Sequence, residues 1–184
     1  MNTTILWHDR NTLGAERCIL SSLEGGFRLA GTALCPTDGV PLQVAYTVDV
    51  DADWHTRQVV VHVDMPHHVA DLTLSTDGAG TWWSQDQALP GVAGCLDVDL
   101  SITPATNTLP IRRLRQQPGE GVDIGVAWVA FPSLTIVRSE QRYECLAVGQ
   151  YRFRSGTYTA DLVVDAEGLV HDYEGAWRAI AQGS

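Results

Sequence analysis

Apolar and polar residues alternate along almost the whole chain, and helical spacing is nearly absent. Leu42, Val44, Tyr46, Val48 and Val50 fall on one face of an extended segment, with Gln43, Thr47 and Asp49 on the other. Val59, Val61, Val63 and Met65 repeat the pattern, and Leu72 and Leu74 alternate with Asp71, Thr73 and Ser75. Period-2 spacing is the mark of a half-buried strand. Glu24, Gly25 and Gly26 separate Cys18–Leu23 from Phe27–Leu34 and predict a tight hairpin. Asp77–Gly80 predict another turn, before a strand that opens on Trp82 and Trp83.

In the next segment Leu96, Val98, Leu100 and Ile102 share one face, and Asp97, Asp99, Ser101 and Thr103 share the other. One face is expected in a core, and the other toward water or a ligand. Pro104 and Pro110 bracket Ala105–Leu109, whose composition predicts a turn before Ile111, Arg112, Arg113, Leu114 and Arg115 resume. Val122–Phe131 is apolar on both faces, which predicts a central strand covered on both sides. Leu134 and Ile136 begin a face that continues as Arg138, Glu140 and Arg142, so that strand either leaves the core or lines a polar cavity. Tyr151 and Phe153 alternate with Arg152 and Arg154. Tyr158–Val164 and Leu169–Tyr173, joined through Asp165–Gly168, predict a hairpin, and Gly175–Gln182 predicts a short helix.

Roughly ten to twelve strands are more than a flat sheet usually carries. The expected fold is therefore mainly all-β: a large curved antiparallel sheet closing to a barrel or half-barrel, with at most a short helical segment. Such a sheet encloses space, often for an apolar ligand. No repeat, low-complexity tract or linker divides the 184 residues, so one domain over 1–184 is expected.

A formal charge of -10 argues against nucleic-acid binding, which needs a basic face. All 12 basic residues are arginine. That suits two-point contacts to carboxylate, sulfate or phosphate, and it equally suits a genome whose composition drifts toward Arg, Ala, Val and Gly. Cys18, Cys35, Cys95 and Cys145 show none of the spacings of a zinc site and read as buried free thiols. The first 20 residues lack an export pattern, and no window approaches the length of apolar residues that spans a bilayer. A reduced, soluble, cytoplasmic protein without stable membrane insertion is expected.

Asp97 and Asp99, two apart on one strand face, have the spacing for a carboxylate pair of the kind used in glycoside hydrolysis, although alternating acids commonly just face solvent. Asp49, Asp51 and Asp53 lack the Gly and distal Glu of a calcium loop. His67 and His68 are adjacent, so in a strand they point to opposite faces and do not share a metal. No nucleophile-elbow, zinc-protease, P-loop or dinucleotide motif is present, and neither a metal nor a cofactor is expected. The tryptophans Trp7, Trp54, Trp82, Trp83, Trp128 and Trp177 carry more information. Together with Arg112, Arg113, Arg152 and Arg154 they suit an amphiphile, with an aromatic wall for one part and a guanidinium fork for the polar head.

Several strings resemble a bacterial family of glycolipid-binding proteins over nearly the whole chain. They are ILW at Ile5–Trp7, FRLAGTAL, Tyr46 with Trp54 and Arg57, AGCLDVDLSITPATNTLPIRRL, AWVAFPSL, QRYECL, YRFRS, and VDAEGLVHDYEGAWRAI. The resemblance implies an architecture similar to lipoprotein localisation factors, whose curved antiparallel sheet holds acyl chains against a helical lid. This chain departs from those carriers in lacking an export signal and a long lid helix. Residue type and motif membership point to Asn107, Arg112 and Arg113 at the polar head of an amphiphilic ligand, a glycolipid, with Arg57 assisting. Trp54, Trp128 and Tyr143 would line the wall. No catalytic residue carries over from the family. Two other readings stand beside this one: a hydrolase of a sugar or lipid ester using Asp97, Asp99 or His171, and a partner-binding scaffold with an exposed apolar patch. The arginines near 112 have a structural reading as well, as ion pairs to Asp97 or Asp99.

Overall fold

The computed structural model describes residues 2–37 and 39–183. The first half is a meander of β1 (Asn2–Asp9), β2 (Ala15–Leu23), β3 (Gly26–Thr37), β4 (Val40–Asp51), β5 (Thr56–Met65), β6 (His68–Thr76), β7 (Trp82–Ser84) and β8 (Gln87–Ala88). The expected turn at Glu24–Gly25 closes the β2–β3 hairpin, with Gly25 in the left-handed region that a two-residue turn demands. β9 (Asp97–Leu100) follows, then a single 3-10 turn (Ala105–Asn107) running into α1 (Thr108–Leu114). A second meander contains β10 (Gly121–Ala130), β11 (Thr135–Ala147), β12 (Gln150–Ser155), β13 (Tyr158–Val164), β14 (Val170–Tyr173) and β15 (Trp177–Gly183).

All 15 strands form one sheet in the order β8-β7-β6-β5-β4-β3-β2-β1-β15-β14-β13-β12-β11-β10-β9. Every neighbouring pair is antiparallel except β9 and β10, which run parallel. A parallel pair needs a crossover connection, and the 3-10 turn with α1 supplies it. No ladder joins the edge strands β8 and β9, so hydrogen bonding does not close the sheet into a barrel. The β9 edge nevertheless returns to the first half: the Thr56 N–H donates to the Leu96 carbonyl at 3.0 Å, and the Val98 N–H to Thr56 Oγ1 at 3.2 Å.

Three expectations are corrected. Gly175–Gln182 is not helical, because β1 and β14 offer ladders on both sides of β15 and half-buried Trp177 and Ala179 alternate with exposed Arg178 and Ile180. β10 is covered on both faces only around Val126, Ala127 and Val129, while Val122 is exposed because β10 lies next to the edge. On the Asp97 face of β9, Asp97 itself is buried under the crossover, while Asp99 of the same face borders a cavity, within the expectation of water or a ligand. Ala105–Leu109 is not a surface turn but part of a buried helical wedge. Pro110 fits there as the third residue of α1, in the first turn, where its missing N–H forfeits no helical bond.

The wedge is the organising element of the interior. Residues 102–111 are all buried, including the polar Thr103, Thr106, Asn107 and Thr108. Each of these side chains is hydrogen-bonded, as burial requires. Thr103 Oγ1 donates to Glu16 of β2 at 2.7 Å, Thr106 Oγ1 to Asp99 of β9 at 3.3 Å, and Thr108 Oγ1 to the Gly168 carbonyl at 2.9 Å. Asn107 accepts from the Tyr143 hydroxyl of β11 at 2.9 Å. The apolar side chains divide similarly: Leu109 joins the larger core built on β1–β6, and Ile111 joins the smaller core of β11–β14. One short segment thereby ties both meanders together.

Candidate functional site

Beside the wedge, one face of β9–β15 borders a cavity of about 600 Å³. Strand register assembles its floor. Trp128 of β10 pairs with Asp99 of parallel β9 on one side and with Val137 of β11 on the other, and all three line the cavity. Gln141 pairs with Ser155 of β12 in the same way. Phe153, Tyr158, Tyr173 and Trp177 complete an aromatic wall, and Asn107 reaches in from the wedge.

Asp99 is the single carboxylate among the described lining residues. Its Oδ2 accepts from Gln141 Nε2 at 2.6 Å, and its Oδ1 accepts from Thr106. Burial pushes its pKa up, and the two hydrogen bonds pull against that shift. Tyr143 does not line the cavity but orients Asn107, whose amide nitrogen also donates to the Pro104 carbonyl at 3.1 Å. Burial lifts the Tyr143 phenol well above its ordinary value, so it remains a neutral hydroxyl donor.

The aromatic groups fall into two kinds. Phe153 packs against Tyr143, Tyr158 and Tyr173 in tilted or edge contacts, so those rings support one another. Trp128 and Trp177 make no ring pair among the described residues. Their indole N–H groups also have no protein acceptor there, whereas Trp7 and Trp82 donate to the carbonyls of Val170 and Cys95. These two indoles are available to a ligand.

The other residues singled out in the sequence lie elsewhere. Arg113 binds Asp97, with Nε to Oδ1 at 3.1 Å and Nη2 to Oδ2 at 2.5 Å. Arg112 lies over the Trp54 ring at 5.0 Å and donates to the Ala166 carbonyl at 2.9 Å. The Trp54 ring also stacks on Phe27, with centroids 4.5 Å apart. Trp54 and Arg112 together border a separate groove of about 420 Å³. Arg57 is on the surface, donating to the Asp77 carbonyl and lying 3.4 Å from Asp51. Asn107 and Trp128 are thus brought together, with Tyr143 behind them, while the four remaining candidates stand apart.

Arg152 pairs with Asp161, and Arg154 sits 3.7 Å from Glu144. On β11 the cavity takes the Val137, Ser139 and Gln141 side, with Arg138 at its margin. The opposite series makes surface ion pairs, Arg138 with Glu140 and Arg142 with Asp123. His171 hydrogen-bonds Gln182 and does not line the cavity. Sequence reasoning missed Gln141, Tyr158 and Tyr173, and named Trp177 only as one of six tryptophans suited to an aromatic wall. The available signal was that Ser139 and Gln141 occupy the face of β11 opposite its arginines.

Residues 4–179 match the family described as "Putative glycolipid-binding". The chain belongs to this family. A crystal structure of a DUF1089 family protein from Pseudomonas aeruginosa is similar to it, at 35% identity and a TM-score of 0.83, over 90% of this chain and 91% of that one. No curated protein matches the chain. Among the described residues of this glycolipid-binding family member, no group of His, Cys, Asp and Glu gathers to hold a metal ion, and no helix is long and apolar enough to cross a membrane.

Beneath the cavity lies a second buried carboxyl. Thr103 lines the cavity, and its hydroxyl donates to Glu16 Oε1, which also accepts from the Tyr46 hydroxyl. Glu16 Oε2 has no hydrogen-bond partner among the described residues. Burial pushes the Glu16 carboxyl up to about 7, against the pull of the two hydrogen bonds. Tyr46 reaches this position because Gly31 has no side chain: a Cβ there would collide with the Tyr46 ring.

Proposed function

We propose that this protein is a non-catalytic binding protein for an amphiphilic glycolipid whose sugar occupies the cavity of about 600 Å³. The observation that carries the reading is the pairing of two unoccupied indoles, Trp128 and Trp177, with hydrogen-bonding groups on Asp99, Asn107 and Gln141. A sugar ring has an apolar C–H face and an edge of hydroxyls. Indoles suit the face, and carboxylate or amide oxygens suit the edge. Arg112 and Arg113 are engaged by Trp54, Ala166 and Asp97, which favours an uncharged head over an anionic one.

Binding is favoured over hydrolysis because glycoside cleavage ordinarily needs two carboxyl groups flanking the bond, about 5 to 9.5 Å apart. Among the described residues the cavity offers Asp99 alone, and Asp97 is held by Arg113. Native mass spectrometry of the protein purified from its host is expected to show bound lipid. Protein that is consistently empty, and that takes up nothing from a host lipid extract, removes this reading.

A further inference from the structure

The sugar cavity holds a negative charge that the protein does not neutralise. Asp99 is half-buried at its floor, and among the described residues no arginine or histidine forms an ion pair with it. Two positions earlier in the same strand, Asp97 has Arg113 at 2.5 Å. The donors to Asp99 are neutral, Gln141 Nε2 at 2.6 Å and Thr106 Oγ1 at 3.3 Å. Both of its oxygens accept, as in an ionised carboxylate, and of the roughly four acceptor positions of that group about two stay open to a ligand. Arg138, the cation at the cavity margin, is engaged by Glu140 at 2.6 Å and by the Ala93 carbonyl at 3.1 Å.

Strand register surrounds this carboxylate with aromatic rings on its own face of the sheet. Asp99 pairs with Trp128, and Trp128 with Val137; Gln141, on the same side of β11 as Val137, pairs with Ser155, and Ser155 with Tyr158. Leu162, on the same side of β13 as Tyr158, pairs with Tyr173, and Tyr173 with Trp177. Side chains at every second position share a face, so Asp99, Trp128, Tyr158, Tyr173 and Trp177 all project to one side. The Tyr173 phenol is held above its ordinary pKa by burial, by Tyr158 and by the Asp99 charge, which therefore reaches across the cavity. Aromatic rings attract cations, indole most strongly, and rings gathered beside a carboxylate are the composition that recognises an ammonium group. A neutral sugar would leave the Asp99 charge unpaired where burial makes that costly.

We propose that the head bound in this cavity is an amino sugar, its ammonium group held by Asp99 against the Trp128 and Trp177 rings. The inference rests on the reading of the cavity as the sugar site and names the class of sugar. An ammonium group brings N–H donors to the open acceptor positions of Asp99 and the positive charge that Asp99 lacks. The hydroxyls of the same ring are left to Asn107, Ser139 and Ser155, which also line the cavity. The engagement of Arg112 and Arg113 elsewhere, which disfavours an anionic head, is compatible with a cationic one.

The test compares methyl β-glucosaminide with methyl β-glucoside by calorimetry and tryptophan fluorescence at about pH 6.5, where a sugar amine, like an α-amino group, carries its proton. The glucosaminide is expected to bind about tenfold tighter or more, the gain of a charge-assisted hydrogen bond to a half-buried carboxylate. Asp99→Asn should bring the two affinities to near equality. If that variant fails to fold, the carboxyl carbon resonance of Asp99 in the wild type reports the same contact: it should titrate at lower pH with the glucosaminide bound than with the glucoside bound, because a cation beside a carboxylate lowers its pKa. Equal affinity for the two glycosides, a preference that persists in Asp99→Asn, or an Asp99 titration indifferent to the amine overturns the ammonium site while leaving the sugar cavity standing. Failure of both glycosides to bind overturns the cavity reading and the ammonium site with it.

Discussion

Arg113 grips Asp97 at two points while both are nearly out of water, with side chains 14% and 1% exposed. The pair fastens the end of α1 to β9, the edge strand whose neighbour Asp99 lines the cavity. Burial raises the Asp97 pKa, and Arg113 opposes that shift. Removing one member of such a pair leaves an uncompensated charge and costs about 3 to 5 kcal/mol. Arg113→Ala is therefore expected to lower stability by about that amount at neutral pH, with partial relief in acid as Asp97 takes a proton. Denaturant unfolding at both pH values checks it, and Arg113→Ala combined with Asp97→Asn should recover part of the loss.

Glu16 predicts a pH slope of defined sign. Its folded value is about 7, against an ordinary 4.5. Between those values the folded protein holds a proton that the unfolded chain has released, so this group's contribution is full below about 4.5 and falls away as pH rises through about 7. The change is roughly 3 kcal/mol for a displacement of that size. Glu16→Gln should remove this slope, gaining on the wild type as pH rises from about 5 to about 8 in paired unfolding curves.

Gly31→Ala places a methyl group against the Tyr46 ring and should force Tyr46 away from Glu16. Overpacking of this kind costs about 1 to 3 kcal/mol. Gly91→Ala is the control, since a Cβ there meets nothing within 4 Å, and its unfolding midpoint should stay near that of the wild type.

Two tryptophans should separate binding from stability. Trp54 is 3% exposed and lies between Phe27 and Arg112, so Trp54→Ala should destabilise by about 3 kcal/mol or more. The folded fraction should keep its affinity for lipid. Trp128→Ala, at a half-buried ring in the cavity, should weaken lipid binding at least tenfold with a smaller stability loss, as read by titration and thermal melting. Equal affinity for the Trp128→Ala protein would sink the sugar-stacking role.

Period-2 alternation made most strands legible, because each meander strand buries one face and pairs with its sequence neighbour. It could not reveal the wedge. The string around Thr106, Asn107 and Thr108 has the composition of a surface turn, and only hydrogen bonds from distant β11, β9 and the β13–β14 turn make its burial tolerable. The arginines beside it were conspicuous in sequence: the ion pair of Arg113 with Asp97 was one of the two readings they offered, whereas the seat of Arg112 over Trp54 joins distant parts of the chain and left no sequence signal. Trp128 and Asn107 were found by residue type. Gln141 and Tyr173 were not, because their meeting depends on strand register. β15 was misread for the same reason: two flanking ladders outweigh the helical preference of Ala and Gln.

The pairing of β1 with β15 sets Thr4 opposite Gly183 in the interior of the sheet. Each meander forms from hairpins between adjacent segments, but the seam between them joins the most distant parts of the chain. During synthesis on a ribosome the first meander therefore waits with β1 as an open edge until the last strand emerges. Contacts of such separation slow the final step of folding, and an unpaired edge invites association with other chains in the interval.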